Sequence, residues 1–272
     1  MYLAIDIGGT KTLVASFTND GTLSKSLRFK TPKDYDMFKG VLKAALARFS
    51  DHKFLYACVA VPGKIDRKRG VAIAFGNLDW ENIPIRKDLK EFIRCPVLVE
   101  NDANLAGLSE AINVLSKYRK VLYLTISTGI GSGIAIDGMI DPDFEDSEAG
   151  QMMLQHNDRM QPWEDFASGR AIKKRYSKLA IEINDKKTWR EISHNLAIGI
   201  NSLVAVIQPD VIIIGGSVGT HFKKYGELLD AELDKYSTPL TPVPPIIHAK
   251  RSEEAVIYGC YYFAKEAHAN LA

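Results

Sequence analysis

Short apolar runs that stop at glycine alternate along this chain with longer stretches whose apolar positions recur every three to four residues. Residues 2–7 are apolar apart from Asp6 and stop at Gly8-Gly9. Residues 12–17 are rich in β-formers and stop at Asn19-Asp20-Gly21, and residues 23–29 continue the pattern. Three strands joined by short turns, with no helix between them, predict an antiparallel meander. The period then changes. Phe38, Val41, Leu42, Ala45, Leu46 and Phe49 fall on one face of a helix that starts near Pro32 and Asp34. Residues 54–61 predict a strand stopped by Pro62-Gly63. Residues 96–99 predict another, which runs into Glu100-Asn101-Asp102 and a helix from about Asn104 to Leu115.

The second half opens as the first does. Residues 121–126 predict a strand, followed by Ser127-Thr128-Gly129-Ile130-Gly131-Ser132-Gly133, a second strand to Ile136 and a turn at Asp137-Gly138. With Tyr2-Leu3-Ala4-Ile5-Asp6-Ile7-Gly8 set above Tyr123-Leu124-Thr125-Ile126-Ser127-Thr128-Gly129, Tyr, Leu, Ile and Gly recur in register. This internal repeat predicts two similarly built halves that face each other, with a hinge near residues 117–120. Beyond it, residues 163–180 and 189–208 predict long helices, and the second carries an apolar stripe of Leu196, Ile200, Leu203, Val204 and Ile207. Residues 211–214 are continuously apolar, as in a strand covered on both faces, and end at Gly215-Gly216. A helix over 222–233, a short strand over 246–248 and a helix over 253–267 complete an α/β chain.

Composition narrows the classes. The 272 residues suit about two domains at roughly 150 residues each. Lys plus Arg number 35 against 33 Asp plus Glu, so the near-neutral balance gives no reason to expect nucleic acid or membrane as a partner. No apolar run approaches the ~18 residues of a spanning helix. The first residues carry no basic leader pattern, so a cytoplasmic location is expected. Cys58, Cys95 and Cys260 are odd in number and set in apolar runs, which reads as free thiols in a reducing compartment.

Three glycine turns follow apolar strands: the first through Gly8, Gly9, Thr10, Lys11 and Thr12, the second through Ser127, Thr128, Gly129 and Gly131, the third at Gly215-Gly216. Successive backbone N–H groups in such turns form concave anion sites, and a polyphosphate is their natural guest. One glycine turn is usually only a turn; three, two of them heading matched repeats, are less easily dismissed. There is neither a P-loop nor a dinucleotide fingerprint. Asp6, beside the first turn, is either a turn former or a ligand of Mg²⁺ facing the phosphates, and the adjacent Thr10 and Lys11 favour the metal. Glu100-Asn101-Asp102 lies where a strand meets a helix. One cap needs only one polar residue, so a carboxylate here is a candidate base for an attacking hydroxyl. Glu148 and Glu164, taken alone, read as solvated acids.

Taken together, these segments resemble the ROK family of bacterial sugar kinases and sugar-responsive repressors, within the actin-like/hexokinase ATPase fold. The matching segments are Asp6-Ile7-Gly8-Gly9-Thr10-Lys11, Val61-Pro62-Gly63, Gly76-Asn77-Leu78-Asp79-Trp80, Glu100-Asn101-Asp102-Ala103-Asn104, residues 127–133 and residues 209–216, in the family's order. The resemblance implies two lobes built on ribonuclease H-like repeats: a smaller sugar and phosphate domain over 1–117 and a larger nucleotide domain over 118–272, whose last helix is a candidate for packing back on the first. It implies ATP-dependent phosphorylation of a hexose 6-hydroxyl with Asp102 as base. Gly63, Asn77, Asn101, Glu148 and Glu164 would hold the other hydroxyls, ATP would lie on the glycine turns and Mg²⁺ would bridge its phosphates. A homodimer is a candidate state. The alternatives are an N-acetylhexosamine kinase, a catalytically silent sugar-sensing regulator, or an ATPase acting on another acceptor. A repressor of this family carries an N-terminal helix-turn-helix, whereas this sequence opens on the first phosphate strand.

The sequence departs from the family pattern at one place. Where the family has a His after Glu-x-Gly, followed by a cysteine-rich zinc module, this chain has Gln151 and no cysteine over 152–163. No structural zinc is expected, and sugar specificity transfers less securely.

Overall fold

The computed structural model describes residues 1–49, 53–76, 78–251 and 254–270. The chain forms two compact units, Met1–Ser109 with Glu254–Ala272, and Glu110–Glu253. The division falls inside a continuous helix, eight residues before the expected boundary at 117. The turn signals near 117 mark the helix end, whereas the packing partners change part-way along it.

In the first unit, β1 (Tyr2–Ile7), β2 (Lys11–Phe17) and β3 (Leu23–Lys30) form the expected meander. Helix α1 (Tyr35–Ala47) is capped by Asp34, whose carboxylate accepts the Met37 N–H at 2.8 Å. It buries Phe38, Leu42 and Ala45 but leaves Val41 39% exposed, so the apolar face is narrower than its periodicity suggests. β4 (Tyr56–Val61) follows. Then comes a region in which the sequence signalled no elements: a small antiparallel sheet of β5 (Gly63–Asp66), β6 (Val71–Phe75) and β7 (Glu81–Ile83), and helix α2 (Ile85–Lys90). β8 (Val97–Asn101) and α3 (Asp102–Val114) complete the run. The main sheet has the order β3-β2-β1-β4-β8, with β1, β4 and β8 parallel.

The C-terminal helix Ala255–Ala269 packs on β1 and β4, which explains why both strands are almost wholly buried. Its Gly259 lies so close to α3 that a Cβ there would sit 1.9 Å from the Leu105 carbonyl oxygen. Since that obstacle is backbone, Gly259→Ala should cost about 3 kcal/mol or more. In thermal denaturation that corresponds to a Tm about 6–12 °C lower.

The second unit repeats the plan. β9 (Lys120–Ile126), β10 (Ile130–Ile136) and β11 (Met139–Ile140) form a meander, and β12 (Met153–His156) and β13 (Arg159–Pro162) a separate hairpin. After α4 (Glu164–Ala167), α5 (Gly169–Tyr176) and α6 (Lys186–Ile207) come β14 (Val211–Gly215), α7 (Gly216–Gly219), α8 (Gly226–Leu233) and β15 (Ile246–His248). The sheet order is β11-β10-β9-β14-β15, with β14 parallel to β9 and β15 parallel to β14. Antiparallel, antiparallel, parallel, parallel is the pairing order of the first sheet too, and the matched heptapeptides fall on the first strand of each. The long helix expected over 163–180 is instead broken at Ser168, whose extended backbone and hydroxyl start α5 afresh on the Ala171 N–H at 3.3 Å. The apolar stripe of α6 is buried as expected. Among the described residues, no helix is long and apolar enough to cross a membrane.

Candidate active site

The first glycine turn is closed by the Gly8 N–H donating to the Lys11 carbonyl at 3.1 Å. Lys11 and Thr10 are exposed on it and Gly9 is partly so. Thr12 differs from its expected role: its side chain is fully buried, and its hydroxyl lies 2.9 Å from that of Thr31, which donates to the Gly8 carbonyl at 2.7 Å. Thr12 shapes the turn from beneath, because β2 is packed on both faces along nearly its whole length.

Asp6 precedes this turn. Burial raises its carboxyl, the charge of Asp102 raises it further, and Lys11 and Arg28 oppose both; the result is pushed up to about 7. Asp6 near the end of β1 and Asp102 just past the end of β8 thus lie at the same end of one sheet, beside a phosphate-type turn. The donor set fits a hard divalent cation, which Mg²⁺ sites typically bind through one or two carboxylates plus phosphate oxygens. Arg28 was not anticipated from sequence. Only register shows it: Asp6 pairs with Leu13 on β2, and Leu13 with Arg28 on β3.

Asp102 opens α3, where the helix N-terminus favours its ionised form. Its Oδ1 accepts the Ala103 N–H at 2.8 Å. The Asn101 Oδ1 accepts the Ala103 and Asn104 N–H groups at 2.8 and 3.2 Å, so Asn101 is the cap of this helix. Its Nδ2 donates to the Gly63 carbonyl at 3.1 Å. Asn101 and Gly63 are therefore brought together, but as a brace between the end of β8 and the start of β5. Gly63 has φ +111°, and a Cβ there would lie 2.3 Å from the Ala74 carbonyl oxygen. Asn77 lies outside the described residues.

In the second unit, the Ser127 N–H donates to the Gly129 carbonyl at 2.9 Å, closing the second turn. The Gly169 N–H reaches the Ser127 carbonyl at 2.7 Å and the Arg170 N–H reaches that of Thr128 at 3.3 Å. The Ser217 hydroxyl lies 3.4 Å from that of Ser127, so the second and third turns meet at the ends of β9 and β14. Gly131 is partly buried, one residue beyond the turn in β10. Gly216 has φ +80°, and a Cβ at Gly215 would strike the Tyr123 hydroxyl at 2.3 Å.

Glu164 clasps the second turn. Its Oε2 accepts the Ile130 N–H at 3.1 Å, and its Oε1 accepts from the Gln151 amide and from Arg170, each at 3.1 Å. Glu164 is thus no freely solvated acid, whereas Glu148 is exposed. Gln151 and Arg170, partners of Glu164 here, were not among the expected site residues. Residues 152–163, where the family pattern has its zinc module, form the β12–β13 hairpin. Its two-residue turn, Asn157-Asp158, has φ +51° and +59°, the type I′ form suited to twisted strands. His156 stacks on Phe166 at 4.3 Å between ring centroids, and the buried Trp163 donates to the Asn195 carbonyl at 3.1 Å. Packing and turn geometry hold this segment, so excess EDTA should move Tm by less than about 1 °C, unlike a structural zinc site, whose removal unfolds its domain.

A model of the ROK family matches residues 2–267. The chain belongs to the ROK family. It is 29% identical over 300 residues to an N-acetyl-D-glucosamine kinase of Histophilus somni, covering 95% of this chain and 97% of that one. Among solved structures it superposes on a ROK hexokinase from Thermus thermophilus with a TM-score of 0.81 at 26% identity, covering 99% of each chain. A ROK glucokinase from Streptomyces griseus, solved with glucose and AMPPNP, gives 0.83 at 21% identity, covering 97% of this chain and 99% of that one. The fold is that of the actin-like ATPases, as the family resemblance implies.

Proposed function

We propose that this ROK protein is an ATP-dependent sugar kinase that phosphorylates the 6-hydroxyl of a hexose, with Asp102 as the base. The observation that carries the reading is that the parallel strands β1, β4 and β8 bring Asp6, the Gly8–Lys11 turn and Asp102 to the same end of one sheet. The turn's N–H groups and Lys11 bind and orient phosphate oxygens. Asp102, at its helix start, accepts the hydroxyl proton as the sugar oxygen bonds to the γ-phosphorus and the bond to the β–γ bridging oxygen breaks, releasing ADP. Asp6 would hold Mg²⁺, which when bound supplies charge neutralisation on the phosphates. The turns at 127–131 and 215–217 are assigned to the nucleotide. Asn101 and Gly63 set the frame for the acceptor.

A second reading, an N-acetylhexosamine as acceptor, is favoured by the kinship with the N-acetyl-D-glucosamine kinase. Retention of Asp102, Lys11 and all three glycine turns favours an enzyme over a silent sugar sensor. The test is an ATP-coupled assay over glucose, mannose, fructose, N-acetylglucosamine and N-acetylmannosamine. Turnover on at least one is expected. Sugar binding by calorimetry without turnover on any would replace the kinase by a sensor.

A further inference from the structure

Among the described residues β8 pairs with β4 on one side only, as an edge strand, and Asp102 sits just past its end. Sheet hydrogen bonds alone leave such a strand end weakly fixed. Glu100, the penultimate residue of β8, is 1% exposed and its carboxylate is saturated. Arg67 donates to it twice, from Nε and Nη2, each at 2.7 Å. The Asn101 backbone N–H donates at 2.7 Å and the Asn104 amide at 3.0 Å. Arg67 comes from the turn between β5 and β6. That turn is itself held by Arg86 of α2, whose Nη2 donates to the Arg67 carbonyl at 2.7 Å, Nη1 to the Lys68 carbonyl at 3.2 Å, and backbone N–H to the Gly70 carbonyl at 3.1 Å.

The β5–β6 hairpin therefore grips the end of β8 at two points, through Gly63 on Asn101 and through Arg67 on Glu100. We propose that Arg67 is a positioning residue for phosphoryl transfer. Through the buried Glu100 it fixes the backbone of residues 100–104, and with it the place of the Asp102 carboxylate against Asp6 and the first glycine turn. The inference rests on the reading of Asp102 as base. A buried ion pair is no more stabilising than well-packed apolar side chains of similar size, so stability alone gives little reason for a charged pair here. Geometry gives one. The planar fork fixes a carboxylate in two directions at once, which an ammonium cannot do.

The test uses the full-length protein, with ATP and the best acceptor of the sugar panel. In the double variant Arg67→Met/Glu100→Met the pair is replaced by apolar side chains, so the protein should stay folded with a Tm lower by several degrees, because the Asn101 N–H and the Asn104 amide lose the Glu100 acceptor. Its kcat should fall about 10–100-fold, the scale of an ångström's misplacement, with KM for ATP changed by less than about threefold. Arg67→Lys keeps the charge and loses the fork, and should lie between this variant and wild type. Wild-type kcat in Arg67→Lys, or in a folded double variant, overturns the proposal. So does a fall in KM-normalised activity that only tracks a loss of folded protein. Turnover surviving in Asp102→Asn would instead remove the base reading itself, so the two failures are distinguishable.

Discussion

Asp102→Asn should lower kcat by about 10²–10⁴-fold, the range for removal of a general base, while nucleotide affinity should stay near wild type. The substitution is nearly isosteric. The amide oxygen can still accept the Ala103 N–H at the start of α3, and the Asn101 cap and its link to Gly63 are untouched. What disappears is a lone pair basic enough to take a proton. Loss of 10³ corresponds to about 4 kcal/mol of transition-state stabilisation, more than one hydrogen bond to a neutral group supplies, so the effect separates proton transfer from mere contact. Steady-state kinetics with the active sugar, alongside calorimetric titration with a non-hydrolysable nucleotide, checks both halves. A kcat within a few-fold of wild type would assign the base elsewhere and leave Asp102 as a helix-start residue.

Much of this arrangement can be read from sequence because its signals are local. Glycine follows the ends of β1, β9 and β14 within three residues, and the matched heptapeptides land on β1 and β9, the equivalent strands of two sheets with one pairing order. The parts that could not be read are those decided by distance or register. Arg67 reaches Glu100 across 33 residues, out of a small sheet whose strands carry little periodicity. Arg28 is placed beside Asp6 only by strand alignment. Thr12 looked like a ligand because it adjoins Lys11, but β2 is covered on both faces, so alternation gives no clue to where its hydroxyl points. The helix expected over 163–180 fails at Ser168-Gly169, a pair able both to end one helix and to cap the next.

Asp6→Asn should act in opposite directions on activity and on stability. Activity should fall by about 10²-fold or more, since the substitution removes the carboxylate that would hold the cation on the phosphates. The unliganded protein should become more stable. Burial and the charge of Asp102 raise the Asp6 carboxyl from an ordinary 3.8 to about 7. The folded state therefore holds a proton that the unfolded state has lost once pH exceeds 3.8. The associated stability is complete below that pH, declines as pH rises, and is gone above about 7. In wild type above pH 7 both acids are ionised in close quarters, at a cost of at most about 4 kcal/mol from the size of the shift. Asparagine escapes that cost. The Tm difference between Asp6→Asn and wild type should be small near pH 4, grow steadily through pH 5 and 6 and level off above pH 7. In Asp102→Asn one contribution to the same strain is relieved, so a smaller gain with the same pH course is expected. Magnesium with nucleotide should raise the Tm of wild type more than that of Asp6→Asn, because only the former keeps the carboxylate that gains from the cation. A Tm difference that does not vary with pH would show that Asp6 carries no such strain, and would detach the pair from the chemistry proposed for it.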